Sequence, residues 1–176
     1  MGKNRRPEFS KTKELDEKTL LGFHRLAING LNDGANQPML INNYYLICNG
    51  EIYNYKELYQ MMPDVTPYTD SDCEVIIHLF CLYGIEQTLA MLDGVFAFVL
   101  IDNNMNNDGT RKMYVARDPY GVRPLYSVQF SNSQQEYPRY YENISRPSNI
   151  IGFASEMKSL IGIKNEIPEL SIQQFR

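Results

Sequence analysis

Asn49, Gly50 and Glu51 stand in a row. An amide side chain, a glycine backbone and a carboxylate together can polarise a carbonyl and hold a polar substrate. They follow the apolar run Leu46-Ile47-Cys48 and precede Ile52-Tyr53-Asn54, which reads as a strand entering a polar turn with a helix just after it. That turn is the natural floor of an active site. Arg25, beside His24 in the apolar run 20–28, has two readings: a solvent-facing strand edge, or a guanidinium held to grip a carboxylate in a bidentate fork. Asp72 also has two, an acid favoured by the dipole of a first helical turn or a partner for an ammonium. Asn49 Nδ2–H and the Gly50 N–H can stabilise an oxyanion, and Glu51 adds a polar contact. These are the groups that an α-amino acid with a reactive side-chain carbonyl requires.

An attacking group is harder to find. No G-x-S-x-G or Walker A pattern occurs. Cys48, by strand alternation, points into packing, and Cys73 and Cys81 read as fillers of a helix, as does His78. With two histidines and three scattered cysteines, no zinc or other metal site is expected. The odd cysteine count without a signal peptide points to a reducing, cytoplasmic setting. At 176 residues, with 43% hydrophobic and 22% charged residues, the composition is that of one globular domain with a core. A net charge of −4 gives no reason to expect nucleic acid or an anionic membrane as partner, and no apolar run reads as a bilayer span.

The elements that must position these groups follow from pattern. Residues 1–19 read as a polar arm or remnant loop. Strands are predicted over 20–28 and 39–48, separated by a loop ending at Gln37-Pro38. Asn54 with Glu57 forms a capping-box pattern for a helix that stops before Pro63, and Ser71 with Glu74 forms another. The second helix carries Val75, Ile76, Leu79 and Leu82, ends at Gly84, and is followed by a shorter one from Ile85. Gly94–Ile101 reads as a strand buried on both faces, with Lys112–Ala116 its hairpin partner. A compact turn over 117–124, a strand over 125–130, a long polar loop over 131–149, a strand over 150–154 and a short helix from Ser155 complete the list. The tail 161–176 shows no clear element. The whole predicts an α+β layered domain without repeats or an internal linker.

Seven blocks then occur in order: Gly22-Phe-His-Arg-Leu-Ala-Ile28, Gln37-Pro38, Asn49-Gly-Glu-Ile-Tyr-Asn54, Ser71-Asp-Cys-Glu74, Leu92-Asp-Gly-Val-Phe-Ala-Phe98, Arg117-Asp-Pro-Tyr-Gly-Val-Arg-Pro-Leu125 and Ser155-Glu-Met-Lys158. Together they resemble the N-terminal glutaminase domain of glutamine-hydrolysing asparagine synthetase, a class II glutamine amidotransferase. The resemblance implies the N-terminal nucleophile hydrolase fold, a four-layer αββα sandwich of antiparallel sheets. It also implies an activity: ammonia is released from glutamine and passed to a synthetase domain that activates aspartate with ATP, yielding asparagine and glutamate. By matching positions, Arg25 binds the glutamine α-carboxylate, Ile28 and Asn29 offer backbone contacts, Asn49 and Gly50 form the oxyanion hole, and Glu51 and Asp72 contact the substrate, Asp72 near its ammonium.

Departures from the pattern shape the remaining expectations. The family's nucleophile is a cysteine directly after the initiator methionine; here that position holds Gly2, and no cysteine precedes Cys48. The family's first strand is not recognisable, and Asn4-Arg5-Arg6-Pro7-Glu8 stands where the family has His-Arg-Gly-Pro-Asp. The expected organisation is thus a remnant arm over 1–19 and an amidotransferase domain over 20–176, truncated at both ends, its first strand missing and its synthetase domain absent. ATP and magnesium would belong to that absent domain, leaving no cofactor in this chain. An inactive fragment or degenerate copy is expected; the alternatives are a non-catalytic glutamine-binding or interaction domain, or another class II member such as amidophosphoribosyltransferase. The expected outcome of incubating the chain with glutamine is no measurable ammonia. Robust release that survives Cys48→Ala would overturn that expectation.

Overall fold

A computed structural model describes residues 9–17, 19–25, 36–130 and 150–175. The described residues form antiparallel sheets and helices. Strands β1 (Phe9–Asp16) and β2 (Thr19–Arg25) pair as a hairpin. Strands β3 (Met39–Ile41), β4 (Tyr44–Ile52), β5 (Gly94–Asp102) and β6 (Met113–Arg117) form a four-stranded sheet in that order. Strands β7 (Tyr126–Phe130), β8 (Ile150–Ala154) and β9 (Leu170–Gln174) form a third sheet with β7 in the middle. The helices are α1 (Tyr55–Gln60), α2 (Val75–Met91), entered through a 3-10 turn over Asp72–Glu74, and α3 (Met157–Glu166).

Four expectations are corrected. Residues 9–16, assigned to a polar arm, are a strand. β1 has almost no apolar side chains, so it carries no alternation; it is ordered by its partner β2 and by the ion pair of Asp16 with Arg111. The run 39–48 is two strands, turned at Asn42 and Asn43, which have φ of 48° and 65°. Two successive residues at positive φ make the tight hairpin whose twist suits antiparallel strands, and asparagine tolerates that region best after glycine. Asn49-Gly50-Glu51 is no turn: all three residues lie inside β4, paired with Ala97, Phe96 and Val95 of β5. The tail holds the second half of α3 and all of β9, tied by Lys164 Nζ donating to the Leu170 carbonyl at 2.8 Å.

The four-stranded sheet has two distinct faces. Leu46, Cys48 and Ile52 of β4, with Phe96, Phe98 and Leu100 of β5, pack against Leu58 of α1 and Val75, Ile76 and Leu79 of α2. Complete burial of each such large side chain contributes about 1.5–3 kcal/mol, so this layer dominates the core. The opposite face carries Tyr45, Ile47, Val99, Ile101 and Met113, covered by Leu15 and Leu21 of the first hairpin. Side-chain alternation therefore sends odd-numbered β4 residues to the hairpin face and even-numbered ones to the helices. A smaller cluster of Val128, Leu160 and Leu170 joins the third sheet to α3.

Both capping boxes fail. Asn54 makes no cap bond; its Nδ2 donates to the Met91 carbonyl at 2.9 Å and its Oδ1 accepts the Asp93 N–H at 3.0 Å, stapling the end of β4 to the entry of β5. Ser71 makes no cap bond either, because Glu74 turns to the preceding loop. Helix α2 bends at Gly84, with φ 75°, the expected breakpoint. The stretch Asp72–Met91 is long and apolar enough to cross a membrane by length and composition, which reading for unbroken apolar runs did not register. Its first half is the central core helix, with Val75, Ile76, Ile77 and Leu79 fully buried against the sheet.

Close approach makes Gly50 necessary. A Cβ there would fall on the Val95 carbonyl oxygen and lie 2.6 Å from Phe96 Cα. Gly50→Ala must push β4 from β5 and is expected to cost about 1–3 kcal/mol. Gly22→Ala, where nothing lies within 4 Å, serves as the control; urea melts of both variants check this.

Candidate active site

The site grows from one edge of β4. Strand β3 pairs only as far as Met39 with Leu46, so beyond that point, among the described residues, the polar groups of Cys48, Gly50 and Ile52 face no strand. Side chains take its place. Gln37 accepts the Cys48 N–H at 2.6 Å and donates Nε2–H to the Cys48 carbonyl at 3.0 Å, standing in for a strand residue. Asp72 Oδ2 accepts the Ile52 N–H at 2.6 Å, and Cys73 Sγ lies 3.8 Å from the Gly50 carbonyl as its donor. By strand alternation the Gly50 N–H belongs to the same edge, between those of Cys48 and Ile52.

Asn49 and Glu51 are odd-numbered and project from the hairpin face, at its polar end, beyond the apolar cluster of Tyr45 and Ile47. Among the described residues the Asn49 amide has no hydrogen-bond partner. An amide donor on the face and, by alternation, a backbone donor on the edge thus stand on neighbouring residues at one corner of the sheet. Glu51 and Asp72 border the same corner. Burial pushes the Asp72 carboxyl up; N–H groups of Ile52, Asp72 and Cys73 oppose this, and the Glu51 carboxylate adds to the rise. An opposite charge nearby favours the ionised form of such a carboxyl.

Of the other expected site residues, Arg25 closes β2 opposite Phe9, which settles its backbone register and nothing of its guanidinium. Ile28 and Asn29 lie outside the described residues, as does the loop 131–149. The three cysteines all lie away from the corner's hairpin face: Cys48 and Cys73 are buried on the helix side, and Cys81 is exposed on α2. Burial and contact with the Cys48 thiol push the Cys73 thiol well up, which makes it a poor nucleophile. Among the described residues no cluster of His, Cys, Asp and Glu is arranged to hold a metal.

Sequence reasoning passed over the segment that walls the corner. Asp118, 2% exposed, accepts the N–H groups of Val122 at 2.9 Å, Arg123 at 3.1 Å and Phe96 at 3.3 Å. Its own N–H donates to the Phe96 carbonyl at 2.7 Å. Burial raises this carboxyl, yet the backbone donors outweigh it and the net shift is down. Gly121, at φ 63°, lies under the Arg117 guanidinium, where a side chain would collide. Arg117 is paired with Ala97, itself paired with Asn49, so the three stand in one row across the sheet. Arg123 Nη2 lies 3.5 Å from Glu51 Oε1. The signal was the Asp-Pro-Tyr-Gly sequence, read as a turn and as a family block but given no role in the site, since nothing local says where its arginines reach.

Glu74 plays the part of Asp118 on the other side. It is fully buried, accepting the Tyr68 N–H at 2.6 Å, the Thr69 N–H at 2.7 Å and the Thr69 hydroxyl at 2.6 Å, with His78 Nε2 at 2.9 Å. Burial raises its carboxyl, but His78, Thr69 and the backbone donors bring the net shift down.

The model of the glutamine amidotransferase domain matches residues 3–175, and the chain belongs to that family. The match begins well before residue 20, within the segment read as an arm. A probable glutamine-hydrolysing asparagine synthetase from Acanthamoeba polyphaga mimivirus is 39% identical over 164 residues, which is 92% of this chain and 26% of that protein. The glutamine-hydrolysing asparagine synthetases of Gallus gallus and Homo sapiens are 40% and 37% identical, over 82% and 88% of this chain. The chain spans about a quarter of the length of these relatives. Among solved structures, the glutamine phosphoribosylpyrophosphate amidotransferase of B. subtilis superposes with a TM-score of 0.52 and 29% identity, over 64% of this chain and 26% of that one.

The carboxylates give a pH signature. Glu74 and Asp118 have folded-state pKa values below their unfolded ones, so they stabilise the fold above the ordinary carboxylate range and lose that contribution as pH falls through it. Asp72 has the opposite sign: its ionised form costs stability at neutral pH and its protonation relieves the cost. Urea melts at pH 7 and about pH 4 should therefore show Glu74→Gln flattening the acid loss, and Asp72→Asn more stable than wild type at pH 7 only.

Proposed function

We propose that this chain is the ammonia-supplying glutaminase domain of a glutamine-hydrolysing asparagine synthetase. Identity of 37–40% to such enzymes over most of the chain is the observation that carries the reading. The finer fold that goes with it is the four-layer N-terminal nucleophile hydrolase sandwich, in the cytoplasm, with the synthetase domain of the relatives supplying ATP and magnesium chemistry. The partner would be that synthetase domain, which receives the ammonia.

The residue roles are those the resemblance implies, and the placement of Asn49, Gly50, Glu51 and Asp72 supports theirs. Glutamine's α-ammonium would sit on Asp72, whose burial is otherwise offset only in part by backbone N–H groups. Its side-chain carbonyl oxygen would point between Asn49 Nδ2–H and the Gly50 N–H, donors fixed before any charge develops on that oxygen. Glu51 would accept from the amide NH2. Arg25 would take the α-carboxylate, and Ile28 and Asn29 would supply backbone contacts. The positive charge on Arg25 and the negative one on Asp72 together would select an α-amino acid. Attack at the amide carbon needs a nucleophile over the hairpin face, and Cys48, Cys73 and Cys81 lie elsewhere. The 176-residue polypeptide is accordingly expected to bind glutamine without turning it over.

Amidophosphoribosyltransferase is the second reading, favoured by the B. subtilis structure. Identity of 37–40% over most of the chain favours the synthetase, against 29% over 64% of it for that structure. Calorimetric titration with L-glutamine tests the common core of both. Binding is expected, weakened about tenfold by Asp72→Asn through loss of one charge-assisted contact. Absence of binding by a folded chain overturns the reading.

A further inference from the structure

Arg123 is part of a wall that the glutamine reading leaves without a task. Its backbone is fixed, because Asp118 accepts its N–H at 3.1 Å and that of Val122 at 2.9 Å. Asp118 is in turn anchored to Phe96 of β5, next in the chain to Val95, the residue paired with Glu51. From this fixed point the side chain reaches Glu51, placing Nη2 3.5 Å from Oε1, with both side chains about one-third exposed. Among the described residues the buried Arg123 Nε makes no hydrogen bond. The exposure of the pair and the length of the contact make it a poor source of stability. Geometry is what it supplies: it holds one carboxylate oxygen of Glu51 and leaves the other free.

We propose that Arg123 is a specificity-determining positioning residue, which orients Glu51 as an acceptor so that the site takes a carboxamide and rejects the corresponding acid. The inference rests on the glutamine reading and deepens it. A carboxylate has no proton to donate, so a Glu51 oxygen facing the ligand's side-chain terminus can pair only with an N–H. Glutamine's NH2 satisfies it. Glutamate, the product of hydrolysis, puts a second negative charge there and is repelled, which also clears product from the site. If Glu51 were free to swing, it could turn its charge to solvent and the repulsion would fall away. Arg123 prevents this by holding the far oxygen. The planar guanidinium fork suits that task better than an ammonium does.

The test is the ratio of L-glutamine to L-glutamate affinity, measured by calorimetry on the 176-residue chain. Wild type is expected to prefer glutamine by about tenfold or more, the worth of one charge-assisted contact against a like-charge one. Arg123→Met should bring that ratio close to unity, and Arg123→Lys should recover only part of it. Glu51→Gln, which keeps Arg123 and the fold, should also abolish the preference. A purely structural arginine would lower the melting temperature and weaken both ligands alike, leaving the ratio where it was. An unchanged ratio in Arg123→Met, with wild type still binding glutamine selectively, overturns this inference and leaves the glutamine site standing. Failure of wild type to bind either ligand overturns the glutamine reading, and this inference with it.

Discussion

One strand edge organises the molecule. β4 is paired along its whole length with β5 but for only three residues with β3. Backbone groups left unpaired in a partly buried setting cost about as much as lost hydrogen bonds, so something must meet them. Gln37, Asp72 and Cys73 do so, and each brings its own segment to the edge. The loop before β3 and the 3-10 turn before α2 are thereby fixed against the same strand. The Gly50 N–H lies between them on that edge by alternation, and it is the donor that the proposed function assigns to the substrate carbonyl. Completing a sheet and building a site are here one construction.

Buried carboxylates do the corresponding work around that edge. Asp118 gathers three backbone donors and fixes the loop carrying Arg123, while Glu74 gathers the loop before α2 and His78. Both have enough donors to keep their charge. Asp72 does not: its burial is offset only in part, and the neighbouring Glu51 makes matters worse. The three acids, all of them buried, differ in whether their donors outweigh the cost of burial.

Much of the fold was legible from pattern. The unbroken apolar run Gly94–Ile101 is β5, and the stripe of Val75, Ile76 and Leu79 with a break at Gly84 is the kinked α2. Local rules failed where partners outside the window decided. Asn54 and Glu74 looked like capping residues, yet each found better donors or acceptors farther away. Asn49-Gly50-Glu51 has turn composition, and it is strand because β5 pairs with it residue for residue. β1 has no apolar rhythm at all and takes its conformation from β2.

The sequence by itself determined the family and the chemical inventory. Ordered motifs name the residue types an amidotransferase site needs, and the apolar periods name the core. Tertiary structure decided how the inventory is placed. Pairing with β5 sends Asn49 and Glu51 to one face and Cys48 to the other, which divides a site from a core at neighbouring residues. It also brings Arg123 across to Glu51 and Asp72 across to Ile52. Side-chain identity is local information, whereas the face a residue takes and the partner it meets depend on register between segments distant in the chain, and only packing fixes register.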